Sequence, residues 1–112
     1  MINISIAKDF SLSPGPRYIH QGKYSGEQFR TTILTAKYLE AKETKSIIHV
    51  DLDGTFGYLL SFLEESFGGL VRETGDNPEE VLKFLTFKSD DELVLIDRIK
   101  QYIREANING KN

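Results

Sequence analysis

The chain opens on an alternation. Ile2, Ile4 and Ile6 are separated by Asn3 and Ser5, so an extended segment carries the isoleucines on one side and the polar pair on the other, the period-two mark of a strand. Between Ser11 and Gly26 the pattern breaks: Pro14, Gly15, Pro16 and Gly22 bracket Arg17-Tyr18-Ile19-His20, which predicts turns around a short second strand paired with the first. From Ser25 the period changes. Ser25 and Gln28 make a capping box, and Phe29, Ile33, Ala36 and Leu39 recur at helical spacing, predicting a helix over about residues 26 to 41 and a polar connection from Lys42 to Lys45. Ile47 to Leu52 then forms a nearly continuous apolar run, the kind buried on both faces of a sheet, and is the expected central strand.

Further along, Ser61 and Glu64 make a second capping box, and Leu63, Phe67, Leu70 and Val71 continue an apolar stripe that Gly75 ends. Gly68-Gly69 lies inside this helix at a cost of about 1 kcal/mol per glycine relative to alanine, so close packing against a neighbouring backbone, or a break, is expected there. Asn77 before Pro78-Glu79-Glu80 predicts another helix start, Leu85 to Lys88 a short strand, and Ser89 with Glu92 a third capping box. That last box opens a helix with Ile96, Ile99, Ile103 and Ala106 on its buried stripe. The order β, β, α, β, α, β, α predicts a single α/β domain: a mixed sheet of about four strands, three main helices, and a right-handed crossover from the central strand through the second helix to the last. The core should span about residues 2 to 106, with a frayed tail from 107 to 112.

Composition narrows the function classes. With 112 residues the chain is the size of one domain over residues 1 to 112. Fourteen Lys and Arg against seventeen Asp and Glu give a net charge of -3, with no dense basic run to track a phosphate backbone, so nucleic acid is not the expected partner. The absence of cysteine removes disulfides, thiolate zinc sites and cysteine nucleophiles. The apolar opening is too short for a signal segment and no later run suits a membrane span, so a cytoplasmic protein without a membrane partner is expected.

The candidate chemistry sits at the end of the central strand. Val50-Asp51-Leu52-Asp53-Gly54-Thr55 matches the DxDGT signature of haloacid dehalogenase-like phosphatases. That resemblance implies Asp51 as nucleophile, Asp53 as general acid and base, Mg2+ on the phosphoryl oxygens, and Asp90-Asp91 as distal carboxylates. In that family, however, the motif normally sits on the first strand of a larger core, and here about 45 residues precede it. Plainer roles are also open: Asp51 and Asp53 holding a turn, Ser61 acting only as a helix cap, His20 on the surface and His49 satisfied in its strand. Of Tyr18, Tyr24, Phe29, Phe56, Tyr58, Phe62 and Phe67, most are expected in the core, but Phe56, Tyr58, Leu59 and Leu60 crowd an expected loop and suit a protein contact.

Three blocks in order, Gly15-Pro16-Arg17-Tyr18, Tyr24 to Arg30, and Val50 through Gly68-Gly69 to Arg72, resemble the STAS-like domain family of short bacterial and phage-associated proteins. Its distant relatives are anti-anti-sigma regulators, in which an ATP-binding kinase phosphorylates a serine where the central strand turns into the next helix. Ser61 matches that position, although Leu59 and Leu60 stand where those regulators carry an acidic and a small residue. The resemblance implies a regulatory or adaptor module, not an enzyme, without a cofactor or metal site. Its protein partner would be of the histidine-kinase-like ATPase type, and self-association stays open. The expected partner-binding residues are Asp53, Gly54, Thr55, Phe56, Tyr58, Leu60, Ser61, Phe62 and Glu65, with Ser61 as phosphoacceptor. The minimal phosphohydrolase on Asp51 and Asp53 is the alternative, to be judged by whether a lysine and distal carboxylates converge on that pair. A small structural subunit or phage-encoded inhibitor is a third class.

Overall fold

The structure, a computed structural model, describes residues 1–106, and the expected frayed tail at 107–112 lies outside them. The elements run β1 (Ile2–Ser5), a single turn α1 (Ile6–Asp9), a long helix α2 (26–44), β2 (Ile48–Asp51), a second long helix α3 (60–74), α4 (Pro78–Lys83), β3 (Leu85–Lys88) and α5 (Val94–Glu105). The α/β class and the central place of the 47–52 segment are borne out: the sheet order is β1-β2-β3, with β2 in the middle. Among the described residues the strands number three rather than about four, and both pairings are parallel. The segment expected as a second strand forms a turn of 3-10 helix at Ile19–Gln21 instead. Two prolines and two glycines leave too short an uninterrupted run there to hold a ladder.

Register gives the sheet two unlike faces. Ile2, Ile48 and Leu85 stand in one rank and Ile4, Val50 and Phe87 in another, both on the side that carries the core. The intervening ranks are Asn3, His49 and Thr86, then Ser5, Asp51 and Lys88, and Asn3 and Thr86 are exposed. The expectation of burial on both faces is therefore corrected: helices cover one face, and His49 and Asp51 interrupt the apolar run on the other. His49 bonds Thr86 across the open face through Nδ1 and Oγ1 at 2.9 Å.

Both long helices contain a widened turn of π-helix, at Arg30–Leu34 and Glu64–Gly68. The first shifts the buried stripe of α2 to Phe29, Leu34, Tyr38 and Ala41, so the expected Leu39 is exposed and the helix runs on through Lys42 to Thr44. The step of five from Phe29 to Leu34 is the extra residue of the π turn. Thr31 and Thr32 hydroxyls donate to the carbonyls of Glu27 (2.9 Å) and Gln28 (2.7 Å), giving partners to backbone groups of the turn before it. Phe10, Phe29, Phe62 and Phe67 join the helices and the strand-end region in one aromatic cluster with centroids 5.3 to 6.2 Å apart.

The helix ends separate good sequence signals from misleading ones. Ser25 caps α2 by accepting from Gln28 N at 3.0 Å, Asn77 caps α4, and Gly75 ends α3 at φ +74°, where glycine escapes the Cβ clash. Ser61 does not cap α3: the first turn closes on the Leu59 carbonyl, and the Ser61 side chain makes no capping bond. Ser89 does not cap α5 either. Its hydroxyl donates to the Glu92 carbonyl at 2.6 Å and shapes a turn before the helix begins at Val94, with Leu95 rather than Ile96 on the buried stripe.

Candidate partner-binding surface

Parallel strands send all their exits to one edge of the sheet, so the segments after β2 and β3 must meet. They are stapled together by Asp53. Its Oδ2 accepts from Lys88 Nζ at 2.6 Å and from Asp90 N at 3.0 Å, while Oδ1 accepts from Asp91 N at 2.9 Å. Asp91 returns the bond by accepting from Gly54 N at 3.2 Å, and Asp51 Oδ1 accepts from Asp53 N at 2.9 Å. The Lys88 ammonium, then the Asp91 N–H, hold the Asp53 carboxyl at about 2, well below its ordinary value. Gly54, at φ +92°, makes the bend that a side chain would strain.

Beyond Gly54 the loop is ordered by its own bonds. Phe56 N donates to the Leu12 carbonyl at 2.8 Å, Gly57 N to Thr55 Oγ1 at 3.2 Å, and the Tyr58 hydroxyl to the Leu52 carbonyl at 2.7 Å. Burial pushes the Tyr58 phenol up to about 12. Held this way, the loop projects Phe56 at 83% exposure, with Leu59 and Leu60 also exposed. A cleft of about 210 Å³ lies on one side of the 56–58 ridge, between it and Ser89, Asp91, Glu92 and Leu95, and a second groove lies against Ser13 and Pro14.

Of the residues expected to bind a partner, Gly54, Phe56 and Leu60 are exposed and Asp53, Thr55, Tyr58 and Ser61 are partly so. Phe62 and Glu65 turn inward: Phe62 is wholly buried against Phe29 and Phe10, and Glu65 faces α2, so neither belongs to the surface. Sequence reasoning did not single out Leu12, Leu93 and Val94, which are exposed, and gave the 90–92 turn, which lines the cleft, no part in this surface. Recognising that the segments after β2 and β3 share an edge would have found the turn.

Glu65 belongs to a six-residue ion-pair hub where α2 crosses α3. Arg30 Nη1 reaches Glu65 Oε2 at 2.7 Å and the Glu65 carbonyl at 2.8 Å, and Arg30 Nε reaches Glu73 at 2.8 Å. Arg72 grips Glu64 with both terminal nitrogens, at 2.8 and 3.1 Å, and Arg17 joins the same carboxylate. Gly68-Gly69 has its reason here: a Cβ on Gly69 would collide with the Arg30 guanidinium, and one on Gly68 with the Glu64 carboxylate.

The test set for a phosphohydrolase is met only in outline. Lys88, Asp90 and Asp91 do gather at Asp53, but the lysine and two backbone N–H groups occupy the carboxylate oxygens. Among the described residues no group of three or more His, Cys, Asp or Glu is arranged to hold a metal ion. The DxDGT segment acts here as a strand-end staple.

A family profile described as a STAS-like domain of unknown function matches residues 25–95, from the cap of α2 through the Phe56 loop and the 90–92 turn to the start of α5. The match leaves out the Arg17-Tyr18 block. Because it covers more than half of the chain, the protein belongs to this STAS-like family. STAS-like domains are typically non-catalytic regulatory modules and generally mediate protein contacts. No curated protein and no solved structure is similar enough to the chain to match it. No helix among the described residues is long and apolar enough to cross a membrane.

Proposed function

We propose that this domain docks a protein partner on the loop from Asp53 to Leu60 and the first turn of α3. The observation that carries the reading is Phe56: a large aromatic side chain at 83% exposure on a loop whose backbone is tied down by bonds to Leu12, Thr55 and the Asp53 staple. Burying such a ring contributes about 1.5–3 kcal/mol, and a loop already ordered loses little freedom on binding. A partner of the histidine-kinase-like ATPase type, with Ser61 as the residue it modifies, rests on the family resemblance. Ser61 fits that role in being partly exposed with no capping bond on its hydroxyl, and a phosphate there would meet the positive end of α3 and add charge to the contact.

The test is a photo-crosslinking amino acid placed at position 56 in the native host, with one at Lys37 on α2 as control. One protein joined repeatedly to position 56 and absent from the control is the expected result. Equal labelling from both positions would remove the loop as the docking surface.

A further inference from the structure

The cleft beside Phe56 has a chemistry that narrows the partner further. Its floor is apolar, made by the nearly buried Leu52 and Leu95, and its outer wall carries Asp91 and Glu92. Beyond that wall Leu93 and Val94 are exposed at 70% and 54%, so apolar surface lies on both sides of an acidic turn. Five of the chain's seventeen acidic residues, Asp51, Asp53, Asp90, Asp91 and Glu92, meet here with one of its fourteen basic residues, Lys88. These six side chains sum to a formal charge of -4, against -3 for the whole chain.

Lys88 is already committed. Its ammonium lies 2.6 Å from Asp53 and 3.2 Å from Asp90, and Asp53 is the better satisfied of the two. Among the described residues, the Glu92 carboxylate has no cationic partner and Asp91 receives only the Gly54 N–H. The positive end of α5 accounts for acidic residues ahead of Val94, but not for exposed leucine and valine on the same turn. A second copy of the chain would bring the same charge against itself, and electrostatic complementarity disfavours it.

We propose, resting on the docking reading above, that the partner presents an apolar segment carrying lysine or arginine. Its aliphatic or aromatic side chains seat in the cleft beside Phe56, and its cations reach the Asp90-Asp91-Glu92 turn.

The experiment titrates isotope-labelled protein with two short synthetic peptides that share leucine and phenylalanine positions and differ only in carrying lysine or glutamate between them. The lysine peptide should bind on the order of tenfold tighter at low salt, with the advantage shrinking as salt screens the rim. Its resonance shifts should centre on Thr55, Phe56 and Glu92, and the triple variant Asp90→Asn, Asp91→Asn, Glu92→Gln should erase the preference with its spectrum otherwise intact. Equal binding of both peptides at the 54–60 loop, or tighter binding of the glutamate peptide there, overturns the charge inference and leaves the docking surface standing. A lysine preference that survives the triple variant also overturns it. If neither peptide perturbs the loop, the docking reading and this inference fall together.

Discussion

Where α2 crosses α3, three arginines and three glutamates pack against one another, with the side chains of Arg30 and Glu65 only 12% and 10% exposed. At the edge where β2 and β3 end, five carboxylates meet a single lysine beside apolar side chains left in solvent. Both regions are dense in charge, yet the first matches it around the enclosed Arg30–Glu65 pair, while the second leaves Asp91 and Glu92 exposed and, among the described residues, without a cation. Matched charge at close quarters ties one element to another and has little capacity left for a ligand. Charge without a cation, beside exposed Phe56, Leu93 and Val94, keeps that capacity, which is the basis of the docking proposal.

Breaking the enclosed region should have the largest effect. Arg30→Met removes the ion pairs to Glu65 and Glu73 and the bond to the Glu65 carbonyl. Opening a buried pair from one side typically costs 3–5 kcal/mol; with Arg17 and Arg72 still near Glu65, we expect about 3 kcal/mol by urea unfolding. A loss under about 1 kcal/mol would mean the hub is ornamental to stability.

Gly26→Ala tests the same crossing through shape instead of charge. A Cβ there would collide with the Phe62 carbonyl oxygen, which is backbone of α3 and cannot swing away. Overpacking of this kind costs about 1–3 kcal/mol, and about 2 kcal/mol is expected from thermal and urea unfolding. Unchanged stability would show that the helices separate at no cost.

Acid titration sharpens the comparison at the other region. Because the folded Asp53 carboxyl is held at about 2, below the ordinary 3.8, the stabilisation it gives is present above about pH 4 and lost as pH falls toward 2. Glu64, whose burial is more than offset by Arg72 and Arg17, and Asp76, paired with Lys42, are also lowered and steepen the same limb. Asp53→Asn should therefore be less stable than the parent at neutral pH and show a shallower acid limb, read as unfolding midpoints between pH 2 and 5. Parallel limbs would mean that Asp53 is not held by the staple.

The smallest effect should come from the ridge itself. Phe56 N donates to Leu12, but its side chain is largely in solvent, so Phe56→Ser should leave stability within about 0.5 kcal/mol while removing partner crosslinking from a photo-reactive residue placed at the neighbouring Leu59. A substantial loss of stability would make Phe56 a packing residue and take away the basis of the docking reading.

The strands and two of the helix starts were plain in the sequence where one physical signal dominated. Alternation at Ile2 and Ile4, the run into Val50, and the caps at Ser25 and Asn77 all correspond to the structure, whereas Ile6, expected to continue the first strand, opens α1. The π turn of α2 was hidden because Ile33 and Leu34 are both apolar, so either register fits the pattern. Ser61 and Ser89 matched the capping spacing without capping, since spacing fixes reach but not the backbone angles that orient a hydroxyl. In the candidate site, Phe56 was legible from its place in a loop, and Leu60, expected in the same loop, is exposed at the first position of α3. Phe62 and Glu65, only a few residues on, fall on the inner side of α3, a fact that emerges only once α2 lies across it.

The parallel pairing of all three strands also bears on how the chain reaches its native state. Among the described residues no two strands can zip from a tight hairpin: β1 is separated from β2 by α2, and β3 by α3 and α4. Loop closure therefore precedes any ladder bond, and the rate-limiting step should gather helices around β2 before the sheet exists. In kinetic terms, Val50→Ala should speed unfolding more than it slows refolding, whereas Phe67→Leu should slow refolding, and stopped-flow measurements on the pair would expose the opposite order if the sheet formed first.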